Sequence, residues 1–260
     1  MNTILVSIIS LSAVGLVCAG LITIVSKLMF VKVDVRVEKV RNCLPGANCG
    51  ACGFSGCDLY AEALVKGETA SNLCPPGGEE TLEQINSILG ITGEGLAKLI
   101  AIVHCLGDST IMKDKMEYIG VNSCFAVKQV HGGQGACTFG CTGFGDCVKV
   151  CPSDAICIET GLARINPRKC SGCAVCVKVC PMDVIVMHKL PVKVAVMCMN
   201  TEKGGKVREK CTKGCIGCMK CAKICPSGAI TVEESLAKIE YVVCDGCKKC
   251  VDVCMPGCIV

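Results

Sequence analysis

The sequence predicts an α+β chain built from several small units behind one apolar N-terminal helix. Three observations carry this expectation. There are 28 cysteines among 260 residues, the second half of the chain repeats itself, and residues 1–26 contain no charged side chain. Aromatic residues make up only 3% of the chain and tryptophan is absent, so one large core is not expected. Small domains this poor in bulky side chains need covalent or metal staples to fold.

The opening stretch, MNTILVSIISLSAVGLVCAGLITIVS, is long enough to cross a bilayer as a single helix, which takes roughly 20 residues. It lacks the basic start and small-residue cleavage site of a secretory signal peptide. Val17 is bulky where a lipid-modified Cys18 would want a small neighbour. Lys27, Lys32, Arg36, Lys39 and Arg41 follow the apolar run, and such a basic flank stays on the cytoplasmic side. A single-pass protein of the cytoplasmic (inner) cell membrane is therefore expected, in contact with lipid through this helix and with most of its chain in the cytoplasm. That compartment is reducing, which disfavours disulfides and favours metal–thiolate sites. The net charge of +4 forms no basic stripe interleaved with aromatics, so a nucleic-acid partner is not expected.

Five regions follow: a transmembrane helix over 1–30, a small domain with its juxtamembrane segment over 31–78, a helical or mixed connector over 79–123, and two similar units over 124–192 and 193–260. VKVDVRVEKV at 31–40 alternates apolar and charged residues, the period of a half-exposed strand or tether. EETLEQINSIL and GEGLAKLIAIV, between 79 and 103, both show helical apolar spacing. From Cys124 onward, positions 74 apart match without a gap. Cys124, Cys137, Cys141, Cys147 and Cys151 map onto Cys198, Cys211, Cys215, Cys221 and Cys225. Cys170, Cys173, Cys176 and Cys180 map onto Cys244, Cys247, Cys250 and Cys254. Turn and core residues match as well, GLARI at 161–165 with SLAKI at 235–239, so one folded unit has been copied whole.

The run CSGCAVCVKVCP at 170–181 has the C-x2-C-x2-C-x3-C-P spacing of bacterial-type ferredoxins. Three close cysteines wrap one [4Fe–4S] cluster, and the fourth, carried away by the following helix turn, serves the partner cluster. Zinc sites use two pairs of ligands instead of two interlocked runs of four. In the second unit, Cys215, Cys218, Cys221 and Cys254 form one set and Cys225, Cys244, Cys247 and Cys250 the other, with Met255 and then Pro256 after Cys254. In the first unit Phe144 stands where the second has Cys218. Cys137 is expected to supply the missing thiolate, giving Cys137, Cys141, Cys147 and Cys180 as one set and Cys151, Cys170, Cys173 and Cys176 as the other. Two alternatives stay open: a three-iron site with three cysteines, or a further site where Cys124, Cys137, Cys198 and Cys211 meet between the repeats. Cys105 belongs to the same open question.

Ahead of the repeat, NCGACGFSGC through CPP places Cys49, Cys52, Cys57 and Cys74 at C-x2-C-x4-C-x16-C. That block is expected to hold a further [4Fe–4S] cluster, with zinc as the competing occupant, for about five clusters in all. Cys18, Cys43, Cys157 and Cys258 read as buried or unligated thiols. No dinucleotide fingerprint or Walker A sequence occurs, and no catalytic nucleophile–base pair stands out. Such a chain is an electron carrier. Lys149, Lys178, Lys220, Lys223, Lys248 and Lys249 lie beside the expected ligands, placed either to dock an acidic redox partner or to balance anionic clusters.

The order of parts, an N-terminal apolar helix, the NCGACGFSGC…CPP block, then GCTGFGDCVKVCPSDAI and its duplicate, resembles the B subunit of the Rnf complex in its long, multi-cluster form. The resemblance implies a component of an ion-translocating ferredoxin:NAD oxidoreductase, accepting electrons from reduced ferredoxin and passing them to other subunits of the membrane complex. Two alternatives remain at this stage: a membrane-tethered polyferredoxin serving another enzyme, and a zinc- or disulfide-stabilised interaction module.

Overall fold

A computed structural model of the chain describes residues 3–28, 34–91, 95 and 98–260. Helix α1 spans Thr3–Leu28 over 26 residues. Its side chains are described at residues 8, 9 and 11–27, where the large apolar ones are exposed, Leu11 by 79% and Leu16 by 75%. Thr23 donates its hydroxyl to the Ala19 carbonyl at 2.7 Å, so the helix satisfies that polar group internally. Among the described residues no helix is long and apolar enough to cross a membrane.

Val35–Cys43 forms helix α2, not the expected strand or tether; the first residues of that stretch lie outside the described residues. Asp34 caps it by accepting the Arg36 N–H at 2.9 Å. Val37, Val40 and Leu44 recur at helical spacing and face one core, where Val40 is fully buried. Helix α3 (Cys57–Lys66) and helix α4 (Gly78–Leu89) pack on α2. The expected helix over EETLEQINSIL is α4. Tyr60 of α3, 1% exposed, donates to the Ala70 carbonyl and accepts the Leu73 N–H, which pins the loop leading to Cys74.

The helical expectation for GEGLAKLIAIV does not hold over its second half. Leu99–Val103 is strand β1, and its β-branched run pairs antiparallel with β4 (Ile185–Lys189), Val103 opposite Ile185. Since β4 closes the first repeat unit, that unit reaches back to Leu99, ahead of the boundary expected at 124. Helix α5 (Cys124–Gln129) follows the connector. Helix α6 (Asp146–Lys149) leads to the hairpin of β2 (Ile156–Glu159) and β3 (Leu162–Ile165), followed by helix α7 (Val175–Val179). The second unit has helix α8 (Gly204–Lys210), helix α9 (Lys220–Ile224), the hairpin of β5 (Ile230–Glu233) and β6 (Leu236–Ile239), and helix α10 (Lys249–Asp252). Its outer pair is reduced to one antiparallel bridge, Val196 with Ile259.

Each unit wraps its own small core around cysteine sulfurs, with Leu162, Ala163 and Val184 in the first and Leu236, Ala237 and Ile259 in the second. Sulfur thus fills the interior where the composition lacks aromatic bulk. The residues before α6, α7, α9 and α10 are Gly145, Ala174, Met219 and Lys248, all left-handed at φ between 59° and 76°. Three of them are not glycine, and an L-residue held there costs roughly 1–2 kcal/mol. That reversal turns successive backbone N–H groups inward, the concave geometry that receives anions.

Candidate iron–sulfur sites

The N-terminal site is built by two turns and a helix start. Cys49 and Cys52 sit on a loop with Gly50 and Gly53 at positive φ, Cys57 opens α3, and Cys74 precedes the 3-10 turn Pro75–Gly77. Asn48 accepts the Cys57 N–H at 2.8 Å and fixes the loop against the helix. All four thiols line one cavity. Burial, reinforced by Cys57, Cys52 and Cys49, pushes the Cys74 thiol up to about 11.

In the first unit, burial pushes Cys176 up to about 11, with Cys173, Cys170 and Cys151 adding to the effect from close by. The Ala155 N–H points at the Cys151 sulfur at 3.3 Å. The other set differs from expectation. Burial lifts Cys147 to about 12, and the thiols that add to it include Cys141, Cys124 and Cys180; Cys141 likewise feels Cys124 and Cys180. Cys124, 8% exposed at the start of α5, lies close to Cys141 and Cys147. Cys137 faces a different cavity, with Cys105, Cys198 and Cys211. The reason lies in Asp146 of α6, which accepts the Ser123 hydroxyl at 2.7 Å and the Phe125 N–H at 3.2 Å and so holds the head of α5 beside Cys147.

In the second unit Cys215, Cys218, Cys221 and Cys254 line one cavity. Burial raises Cys221 to about 11, with Cys215, Cys218 and Cys254 adding to it. Burial also raises Cys250, and its thiol neighbours are Cys244, Cys225 and Cys247. The backbone donors repeat too: Cys141 takes N–H groups from Ala163 and Gly143, Cys215 from Ala237 and Gly217. A Cβ on Gly217 would stand 2.8 Å from the Ser235 backbone, and one on Gly143 only 2.2 Å from the Gly161 carbonyl oxygen. Only glycine lets these loops close on the hairpin. Cys258, 1% exposed, takes the core place of Val184 in the first unit.

Among the described residues no group of three or more His, Cys, Asp or Glu side chains is placed to hold a single metal ion. The donor sets are all sulfur, two of them line a common cavity, and backbone N–H groups turn toward their sulfurs, which suits an anionic multi-atom cluster. Burial raises most of these thiols, Cys74, Cys147, Cys176, Cys221 and Cys250 among them; these cysteines would hold an iron–sulfur cluster, whose positive iron would favour the thiolate form.

Comparison with known proteins agrees. The FeS family of Fe-S cluster modules matches residues 44–76, a 4Fe-4S binding domain matches 141–155, and a 4Fe-4S dicluster domain matches 169–230. The chain is 40% identical over 94% of its length to the B subunit of the Na(+)-translocating ferredoxin:NAD(+) oxidoreductase complex of Acetobacterium woodii, covering 74% of that protein. It is 41% identical to the B subunit of the proton-translocating ferredoxin:NAD(+) oxidoreductase complex of Clostridium ljungdahlii, covering 87% of it. Identity to the B subunit of the ion-translocating oxidoreductase complex of Methanosarcina acetivorans is 37%, with 93% of that protein covered. The chain belongs to the family of Rnf complex B subunits. As a member it is an electron-transfer iron–sulfur protein carrying 4Fe-4S domains.

Proposed function

We propose that the chain is the electron-accepting component of a membrane-bound, ion-translocating ferredoxin:NAD oxidoreductase, taking electrons from reduced ferredoxin and relaying them to the other subunits of the complex. The observation that supports this reading is that cysteines from separate runs lie together, Cys49, Cys52, Cys57 and Cys74 around one cavity and Cys215, Cys218, Cys221 and Cys254 around another. The three further sets proposed are Cys151, Cys170, Cys173 and Cys176; Cys124, Cys141, Cys147 and Cys180; and Cys225, Cys244, Cys247 and Cys250, whose thiols neighbour one another. A [4Fe–4S] cluster bound in such a set supplies reversible one-electron storage. The chain's own contribution is positional. Thiolates fix each site, backbone N–H groups aimed at sulfur favour the anionic state, and apolar walls such as Ile156, Leu162 and Ile230 keep water out. Cys137 is replaced by Cys124 in this assignment.

Helix α1 is proposed as the membrane anchor although no described helix meets the length and apolarity of a full span; the proposal is supported by the absence of charge in its sequence before Lys27 and by the exposure of its described apolar side chains. Iron and acid-labile sulfide in the anaerobically purified chain test the cofactors; zinc in their place, or a colourless iron-free chain, defeats the reading. In membrane vesicles, reduced ferredoxin should drive NAD reduction only when this chain is present. Full activity without it would assign the electron entry to another subunit.

A further inference from the structure

The two halves of the repeat meet at a cavity that none of the five sets uses. It is similar in size to the cavities of the Cys215 and Cys74 sites, and Cys105, Cys137, Cys198 and Cys211 line it. Two thiols come from each half, and they are equivalent ones. Cys137 and Cys211 are repeat mates by sequence. For the other pair the backbone gives the match. His104 donates its N–H to the Val184 carbonyl, and Met197 donates to that of Cys258; Val184 and Cys258 are themselves repeat mates. Val103 stands opposite Ile185 as Val196 does opposite Ile259. Cys105 is therefore the counterpart of Cys198. The stretch between Gly107 and Cys137 is longer than its counterpart between Asn200 and Cys211, and Cys124 lies within the extra length.

Donors converge on these sulfurs in the same pattern from both sides. Gly107 N–H meets Cys105 at 3.4 Å and Asn200 N–H meets Cys198 at 3.5 Å. Cys141 N–H points to Cys105, and Cys215 N–H to Cys198 at 3.3 Å. Lys213 and Gly214 N–H groups serve Cys211. Cys137 receives the side-chain amide of Asn200 at 3.4 Å. Asn200 is 2% exposed, and its oxygen is taken by the Glu202 N–H at 2.7 Å, which turns the amide nitrogen toward the sulfur. Two glycines leave the floor open: a Cβ on Gly107 would lie 3.6 Å from the Cys211 sulfur, and one on Gly140 3.5 Å from that of Cys105. Four of these N–H groups lie 3.3–3.5 Å from the sulfurs of Cys105, Cys137 and Cys198, which suits sulfurs that carry negative charge. Four neutral thiols in an apolar pocket would not call for them.

We propose that Cys105, Cys137, Cys198 and Cys211 hold a further [4Fe–4S] cluster at the joint between the two ferredoxin-like halves. The inference rests on the iron–sulfur reading above. Its consequence is continuity. Cys105 accepts the amide of Cys141, a ligand of the first half's inner site, and Cys198 accepts that of Cys215, a ligand of the second half's inner site. A one-electron transfer through this position oxidises the cluster on one side as it reduces the one on the other, with no bond made or broken.

Native mass spectrometry of the unmutated, anaerobically purified chain counts clusters directly. Six sets of four iron and four sulfide are expected, about 24 iron atoms. The double variant Cys198→Ala/Cys211→Ala should fall to about 20 iron atoms while keeping the other five clusters. A count of five in the unmutated chain, an unchanged count in the variant, zinc in place of the sixth cluster, or a Cys198–Cys211 disulfide overturns the inference alone. Absence of all iron overturns both it and the reading beneath it. The count on the unmutated chain decides the matter even where the variant does not fold.

Discussion

Phe144 occupies the position at which the second half has Cys218, and its ring packs edge-on against Tyr118 at 5.5 Å. A thiolate lost there has to come from elsewhere, and Cys124 stands beside Cys141, Cys147 and Cys180. Cys124→Ser should therefore convert that site to a three-iron form or empty it, a loss of about one to four iron atoms per chain, read by iron analysis and by the EPR signal of an oxidised three-iron centre. Adding Phe144→Cys to this variant should restore the four-iron site, because it returns the thiol to the place it holds in the second half. If Cys137→Ser disturbs this centre and Cys124→Ser does not, the assignment from spacing alone was the better one. Asn200 gives a second residue-level expectation. Asn200→Leu removes the side-chain amide that meets Cys137, so any centre held there should become harder to reduce, with a more negative midpoint in a redox titration. An unmoved midpoint would mean that the amide merely orders Glu202.

Short elements, each too small to be stable alone, hold these sulfurs in place through side-chain clamps. Asp146 of α6 accepts from Ser123 and Phe125 and pairs with Lys149 at 3.3 Å. Asp146→Ala leaves the Ser123 hydroxyl and the Phe125 amide without that partner and should cost about 1–3 kcal/mol. It should also lower iron occupancy at the Cys124 site, measured by anaerobic thermal melting alongside iron analysis; a normal melt with full loading would show the clamp to be dispensable. At the seam of the halves, His104 bonds the Val196 carbonyl and His188 of β4, each at 2.7 Å, and His188 packs on Tyr241.

At this scale the limits of the sequence become visible. The cysteine runs were legible because their spacing is local, and the copy because positions 74 apart match without a gap. Strand β1 was not, because IAIV suits a helix or a strand equally until β4, at the far end of the unit, offers it a partner. Helix α2 was hidden because valines two apart mimic a strand while Val37, Val40 and Leu44 also fit a helix. The gapless match paired Cys124 with Cys198 and concealed Cys105, since extra chain length between Gly107 and Cys137 shifts the register only in three dimensions.

Taken whole, the proposed sites at the two ends of the sequence have different surroundings. Near one end, Lys178 of the first unit reaches the Cys49 carbonyl at 3.5 Å, and Pro75, Pro76 and Cys170 line a common cleft, so the N-terminal site adjoins the Cys170 set. At the other, Cys218 and Cys247 are exposed, with exposed Lys223, Lys248 and Lys249 beside them and Lys220 lying against Met255. Ferredoxins dock through acidic surfaces in this proposal, so the second unit's lysine-framed face is where electrons should enter. Long-range attraction raises encounter rates by factors of roughly 10 to 1,000, and salt screens it. Reversing Lys220, Lys223, Lys248 and Lys249 to Glu should slow reduction by ferredoxin at low ionic strength by at least about tenfold and flatten or invert its salt dependence. Cluster content should stay the same, because none of the four is a ligand. The control is Lys149 with Lys178, whose bonds to Asn122 and Cys49 make them structural; reversing them should harm stability more than the salt slope. An unaltered rate and slope in the fourfold variant would move the entry point off this face and leave these lysines as counter-charge for the anionic sites they border.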